Sequence, residues 1–427
     1  MRKIYDEYFD ETYYEETLSN GLKVIIIHKD NFLTTSCAFG TRFGSLDIKQ
    51  RFEGKEYNFN PGIAHFLEHK LFESEDKDIF STFSKLGCSV NAFTSYKYTV
   101  YYFETTNKEI SEPLNLLLDF VQDLDITDEN VEKEKGIINQ ELAMYQQKAE
   151  YRLVSEAYNS MYEKAPIKYD IGGDFDSVNK ITKDELELCY KLNYHPNNMI
   201  LCITSAINPE KLIKIVKENQ ENKQFDNCDK VETIFDEEKE DVVRKEYSFD
   251  MDVAKPRDLY AIKIKPNFKD EKDVYFKERC VDLYLSCIFS SKNPKYQEWL
   301  DKGIINYSLD SMVDFSKSYA HILFSCEDMK TSLKDFVKKA LKECRFDSET
   351  LKQILRSEIG STFKSFDNIG DLNISYLCDR LIGYDFFEDY KILMNIKYED
   401  VIKNFTSLNF ENEAVIHINE CGIGHRL

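Results

Sequence analysis

The pattern that most narrows the fold is an alternation of strand-like and helix-like segments that occurs twice, on either side of a charge-dense stretch. In the first half, residues 22–28 (LKVIIIH) follow the turn signal Asn20-Gly21 and read as a strand. Residues 35–40 read as a second strand, and a helix is predicted from Pro61-Gly62 through Phe72. A further helix is predicted over 78–86, and 89–105 is β-branched and aromatic enough for two strands. Residues 110–124, 128–157 and 183–192 read as helices and 199–205 as a strand. From 217 to 250 the chain turns polar and charge-dense. Beyond it the alternation resumes, with strands at 259–264, near 307–313 and at 321–326, and helices at 277–289 and 331–342. The expected fold class is therefore α+β: two similar α/β sandwich domains, each a mixed or antiparallel sheet with helices packed on it. They are expected at 1–220 and 246–427, joined by a charged linker at 221–245, and their similar order predicts an internal duplication.

Composition limits the partners and the compartment. With 56 Lys and Arg against 77 Asp and Glu, the 427-residue chain carries a net charge of −21. Nucleic acid is excluded as the main partner, because phosphate binding needs clustered cations. A basic peptide or protein partner is compatible with the charge. No run approaches 18 apolar residues, so no membrane span is expected. Residues 1–16 are acidic and Tyr-rich, without the charged-then-apolar layout of a signal peptide. Eleven cysteines, with no CxxC pair, read as buried free thiols in a reducing bacterial cytoplasm.

Chemistry concentrates in His65-Phe66-Leu67-Glu68-His69, an HxxEH on the helix opened by Pro61-Gly62. Residues four apart share a helix face, so the two imidazoles converge. Glu68, three residues after His65, is close enough to address a water at the same point. Two neutral imidazoles, one carboxylate and an open fourth position make a catalytic zinc site. A third ligand is required, and the acid-rich helix around 132–141 offers Glu134 and Glu141, two turns apart on one side. Spacing alone leaves either as an ordinary solvated charge.

HxxEH is the inverzincin order, and the chain resembles the pitrilysin or insulinase family, which includes the mitochondrial processing peptidases. The resemblance runs in order through LSNGLKVIII (18–27), FGTRFGS (39–45), PGIAHFLEHKLFE (61–73), GCSVNAFTSYKYTVYYFET (87–105), EKEKGIINQE (132–141), IGGDFDSVNKIT (171–182) and YHPNNMILCIT (194–204). It implies His65, His69 and Glu141 as ligands of one Zn2+ per chain, Glu68 as general base, and Glu134 as a second acidic residue supporting the site. More narrowly, HFLEHKLFE resembles a bacterial zinc-protease branch in which Glu73 follows Phe72 where many relatives have Gly. The resemblance also implies that a substrate peptide adds as a strand beside the catalytic helix, along Asn91, Ala92 and Phe93.

The second half has no HxxEH; its histidines are His321, His417 and His425. It resembles the family's inactive domain chiefly in SSKNPKYQEWLDKGIINYSL (290–309). There the family places an Arg seven residues before a Tyr, both reaching the substrate. Tyr307 fits the second place, where it would stabilise the oxyanion, but position 300 is Leu. His28 and His417 read as framework and His195 as a loop residue, Gly172-Gly173 lacks the context of a phosphate loop, and 98–103 reads as sheet core. The expected function is a zinc endopeptidase acting on short or unfolded peptides, leader or targeting peptides among them. It would work as a homodimer or as a heterodimer with an inactive homologue. The alternatives are a subunit that needs such a partner for activity and a noncatalytic peptide-binding homologue.

Overall fold

Runs of β-branched and aromatic residues build two main sheets, one in each of two units into which the chain divides. The computed structural model describes residues 1–73, 78–225 and 230–421, so His425 and Cys228 lie outside the described residues. The first unit comprises Met1–Leu142, Asp170–Ile234 and Thr362–Phe387; the second comprises Ala143–Tyr169, Phe235–Ser361 and Glu388–Leu427.

In the first unit the strands are β1 (Arg2–Asp6), β2 (Glu11–Thr17), β3 (Lys23–His28), β4 (Thr35–Thr41), β5 (Lys49–Phe52), β6 (Lys55–Asn58), β7 (Cys88–Thr94), β8 (Thr99–Thr105), β9 (Met199–Ser205) and the short β10 (Glu232–Thr233). Seven form a sheet of order β1-β2-β3-β9-β4-β8-β7, and β10-β5-β6 form a smaller one. Every residue of β4 and β9 is buried, as expected for central strands covered on both faces. One face meets the core that contains α1 (Ile63–Phe72), α2 (Ile79–Lys85), α3 (Ser111–Val121) and part of α4 (Asp128–Tyr145). The helix Ile369–Leu381, nearly 170 residues downstream of β9, also packs on β4 and β9. Its buried Asn373 accepts the Thr204 hydroxyl at 2.8 Å and donates to Ser36 Oγ and the Cys202 carbonyl, both at 3.3 Å.

In the second unit, β11 (Glu246–Met251), β12 (Arg257–Lys263), β13 (Asp310–Phe315), β14 (Ala320–Glu327) and β15 (Glu413–Glu420) form a sheet of order β11-β15-β12-β14-β13. This repeats β3-β9-β4-β8-β7: first, fifth, second, fourth and third strand of each set, the first and fifth parallel and the other neighbours antiparallel. The two halves thus share one mixed-sheet topology, and the chain is α+β as its sequence pattern implies. Here α5 (Ala149–Met161) packs on β12 and β15, and the following Tyr162 hydroxyl lies 3.0 Å from His321 Nδ1.

Some elements differ from the sequence-based expectation. The helix expected over 128–157 is broken into α4 and α5, with Lys148 in an extended conformation between them. Lys148 N–H bonds to the Tyr145 carbonyl, three residues back, which ends α4. No Gly or Pro marks the break. Helices at Ser348–Ser365, Ile369–Leu381, Phe386–Asn395 and Tyr398–Thr406 were not apparent in the pattern. Within 221–245, Thr233 bonds the buried Asp47 of the first unit, and Glu238 is held in the second; residues 226–229 lie outside the described residues. The ten described cysteines are free thiols, eight of them buried. No helix among the described residues is long and apolar enough to cross a membrane.

Candidate metal centre

The centre is built on two helices, α1 and α4. Helix α1 starts at Gly62, whose φ of 91° is left-handed and favours glycine. A Cβ at Gly62 would lie 2.4 Å from the Gly172 carbonyl oxygen, and one at Gly173 would lie 2.5 Å from that of Pro61. The Gly172-Gly173 pair is therefore the close-packed back of the α1 start. Gly62→Ala is expected to destabilise the fold by at least about 1–2 kcal/mol and to lower metal content with it, measured by thermal unfolding and metal analysis.

From this start, α1 buries Ile63, Ala64, Phe66, Leu67 and Leu71 and leaves His65, Glu68 and His69 half-buried. The His65 and His69 rings lie 4.5 Å apart. Their Nε2 atoms face the same Glu141 oxygen of α4, at 3.8 Å and 3.4 Å. One donor atom from each of His65, His69 and Glu141 lies within 4.8 Å of the others. Glu134, two turns earlier on α4 and nearly fully buried, contacts His69 Nδ1 at 2.8 Å. A proton on Nδ1 donated to that carboxylate leaves the Nε2 lone pair free for a metal.

Electrostatics favour a cation here. Burial works against protonating His69, but its contacts with Glu134 and Glu141 outweigh it and push the imidazole up to about 10. Burial and the neighbouring His69 push His65 down to about 4, against Glu141. His65 Nδ1 is buried with no hydrogen-bond partner. The donor set of two imidazoles and one carboxylate fits a divalent zinc ion, with the coordination number of a catalytic rather than a structural site. Burial raises the Glu68 carboxyl, against the Thr94 hydroxyl that donates to it at 2.6 Å.

The other expected site residues fall in two places. Asn91, Ala92 and Phe93 lie on β7, one of the two edge strands of the seven-stranded sheet, and Asn91 Oδ1 accepts the Ala92 N–H at 2.9 Å. Tyr307 lies in the second unit, 85 % exposed in a turn before β13. Leu300, in the helix Pro294–Asp301, packs against the second unit's core. The helix Glu271–Ile288, which follows β12 as α1 follows the strands after β4, contains no histidine. Thr94 was missed in the sequence; its only signal is its place on the strand segment that carries Asn91. Lys70 was also missed, although helical spacing puts it on the face of Phe66 and Leu67.

Comparison with known proteins agrees with this geometry. Residues 51–174 match the model of the insulinase family, peptidase family M16, and 180–277 match that of the peptidase M16 inactive domain. An uncharacterised zinc protease of Bacillus subtilis, YmfH, is 35% identical over 411 residues, covering 94% of this chain and 95% of its own. The chain belongs to the peptidase M16 family. A second M16 relative, a mitochondrial-processing peptidase β subunit of Arabidopsis thaliana, is 25% identical over 205 residues, 47% of this chain and 37% of that one. Among solved structures, an M16-like peptidase from Alicyclobacillus acidocaldarius superposes with a TM-score of 0.90 at 30% identity, over 96% of this chain and 99% of that one. The zinc-protease relatives support metallopeptidase activity and a zinc cofactor for this M16 chain.

Proposed function

We propose that the chain is a zinc-dependent endopeptidase that hydrolyses short or unfolded peptides. The observation that carries this is the convergence of His65, His69 and Glu141 on one point, with Glu68 between the two histidines on the same helix. In this reading the three hold one zinc per chain, and Glu134 fixes the tautomer of His69. Bound zinc would polarise the scissile carbonyl and lower the pKa of a water to about 7. Glu68 takes the proton of the attacking water and returns it to the leaving amine. The substrate backbone pairs with β7 at Asn91, Ala92 and Phe93, which binds extended peptides with little demand on sequence. The family resemblance adds Tyr307 as a further candidate catalytic residue. Along the sequence the homologous halves are 1–220 and 246–427 with the linker at 221–245, while 143–169 group with the second compact unit and 362–387 with the first, and the setting is the bacterial cytoplasm. The test is cleavage of a mixed peptide library by the purified chain. Cleavage that stops on chelation and returns with about one equivalent of zinc per chain supports the reading; cleavage indifferent to chelators refutes it.

A second reading is a catalytic subunit that works with an inactive homologous partner. It is favoured by Leu300, where an Arg is expected, and by the relatives named as subunits of mitochondrial-processing peptidase. Zinc binding without cleavage, restored by a homologue lacking HxxEH, would support it over a self-sufficient homodimer.

Glu134→Gln is expected to weaken zinc binding by about 10–100-fold with the fold intact, because it removes a charged partner of a ligand rather than a ligand. Competition against a chromophoric chelator measures this.

A further inference from the structure

Lys70 lies on the buried face of α1, beside the apolar side chains of Phe66, Leu67 and Leu71, and is wholly excluded from solvent. A buried ammonium needs a counter-charge and acceptors, because desolvation alone would be prohibitive. Glu73, the residue that ends α1, supplies the charge through an ion pair with Lys70. The Asn130 carbonyl of α4 accepts a further hydrogen bond from Lys70 Nζ at 3.3 Å. The other Glu73 oxygen faces Lys133 of α4 at 3.7 Å. The pair therefore crosses from α1 to α4 at Asn130 and Lys133, one turn or less before Glu134. That is the turn of α4 from which Glu134 reaches His69, and Glu141 follows two turns later on the same helix.

We propose that the Lys70–Glu73 pair is a positioning brace for the metal centre. By tying the last turn of α1 to the first turns of α4, it sets the register in which His69, Glu134 and Glu141 meet. Neither Lys70 nor Glu73 is among the converging donors; both act through the two helices. A buried ion pair is a weak source of stability, and apolar groups of similar size usually serve the fold as well. Its place between the two ligand-bearing helices is what gives it a function. The inference rests on the zinc-site reading above.

The test compares the full-length chain with Lys70→Met, Glu73→Gln and the double variant. Zinc affinity is read by chelator competition, and unfolding of the metal-free proteins is followed by circular dichroism. The double variant leaves no unpaired buried charge, so it should unfold at the same denaturant concentration as the unmodified chain or higher. It should nevertheless bind zinc about tenfold more weakly or worse, and each single variant at least as weakly. A double variant that binds zinc within twofold of the unmodified chain overturns the brace and leaves the zinc site standing. A double variant that loses its metal-free fold makes the pair structural and also overturns it. Failure of the unmodified chain to bind zinc overturns the zinc-site reading and this inference together.

Discussion

Glu68→Gln should retain zinc and lose peptide cleavage by about 10²–10⁴-fold, the range that a positioned general base supplies. The substitution keeps the shape of the side chain, and its amide can still meet the Thr94 hydroxyl that now donates to Glu68 at 2.6 Å. What it removes is the ability to accept a proton. Because Glu68 is absent from the converging set His65, His69 and Glu141, zinc content should stay near that of the unmodified chain. The contrast with Glu141→Gln is informative, since that variant should lose zinc and cleavage together. Zinc analysis beside initial rates on one peptide separates the two. Full cleavage by Glu68→Gln would remove the carboxylate from the mechanism and require another base near the metal centre. The rate loss should appear mainly in kcat, because Glu68 acts on the water rather than on the peptide backbone.

How much of this was legible in the sequence depends on the range of the interaction that decides each feature. The HxxEH spacing is local: i and i+4 on one helix converge whatever packs around them, and His65 and His69 do so. The roles of Glu134 and Glu141 are not local. Both project from one side of α4, and only the packing of α1 against that helix brings one to Nδ1 of His69 and the other to the Nε2 atoms. Family resemblance, not spacing, supplied that distinction. Lys70 shows a conflict between levels, since periodicity points it inward and residue type points it outward; Glu73 three residues on is the compensating signal. The break between α4 and α5 had no Gly or Pro to announce it. Least legible was the interleaving of the units. The packing of Ile369–Leu381 on β4 and β9 depends on contacts such as Asn373 with Ser36, 337 residues apart, which no local window contains. The duplication was visible as an order of elements and is decided by pairing, in the shared arrangement of first, fifth, second, fourth and third strands.

Glu238→Ala should destabilise the second unit by about 3–5 kcal/mol, the usual result of stripping one member from a buried ion pair. Glu238 falls in the charge-dense stretch that reads as linker, yet its carboxylate accepts the N–H groups of Glu163, Lys164 and Ala165 at 3.0, 2.7 and 2.7 Å. It also meets Lys263 Nζ at 3.0 Å, and Lys263 is itself buried and bonded to the Met161 and Asp241 carbonyls. Alanine would leave that ammonium without its counter-ion and three backbone donors without an acceptor. Burial opposes ionisation of Glu238, but the three N–H groups and Lys263 prevail and hold its carboxyl at about 2. The sign follows: a carboxyl depressed on folding stabilises the native state fully above its ordinary value of 4.5, and the contribution fades as pH falls from there toward 2. The unmodified chain should therefore lose stability across that window faster than Glu238→Gln, which has no proton to bind there. Trp299, the sole tryptophan, packs on Phe289 and Phe336 in the second unit's core and reports its unfolding by fluorescence. Urea titrations at pH 7, 5, 4 and 3 give the comparison. Equal pH slopes for the two proteins would show that Glu238 does not anchor the second unit, and that the charged stretch crosses it without contributing to its stability.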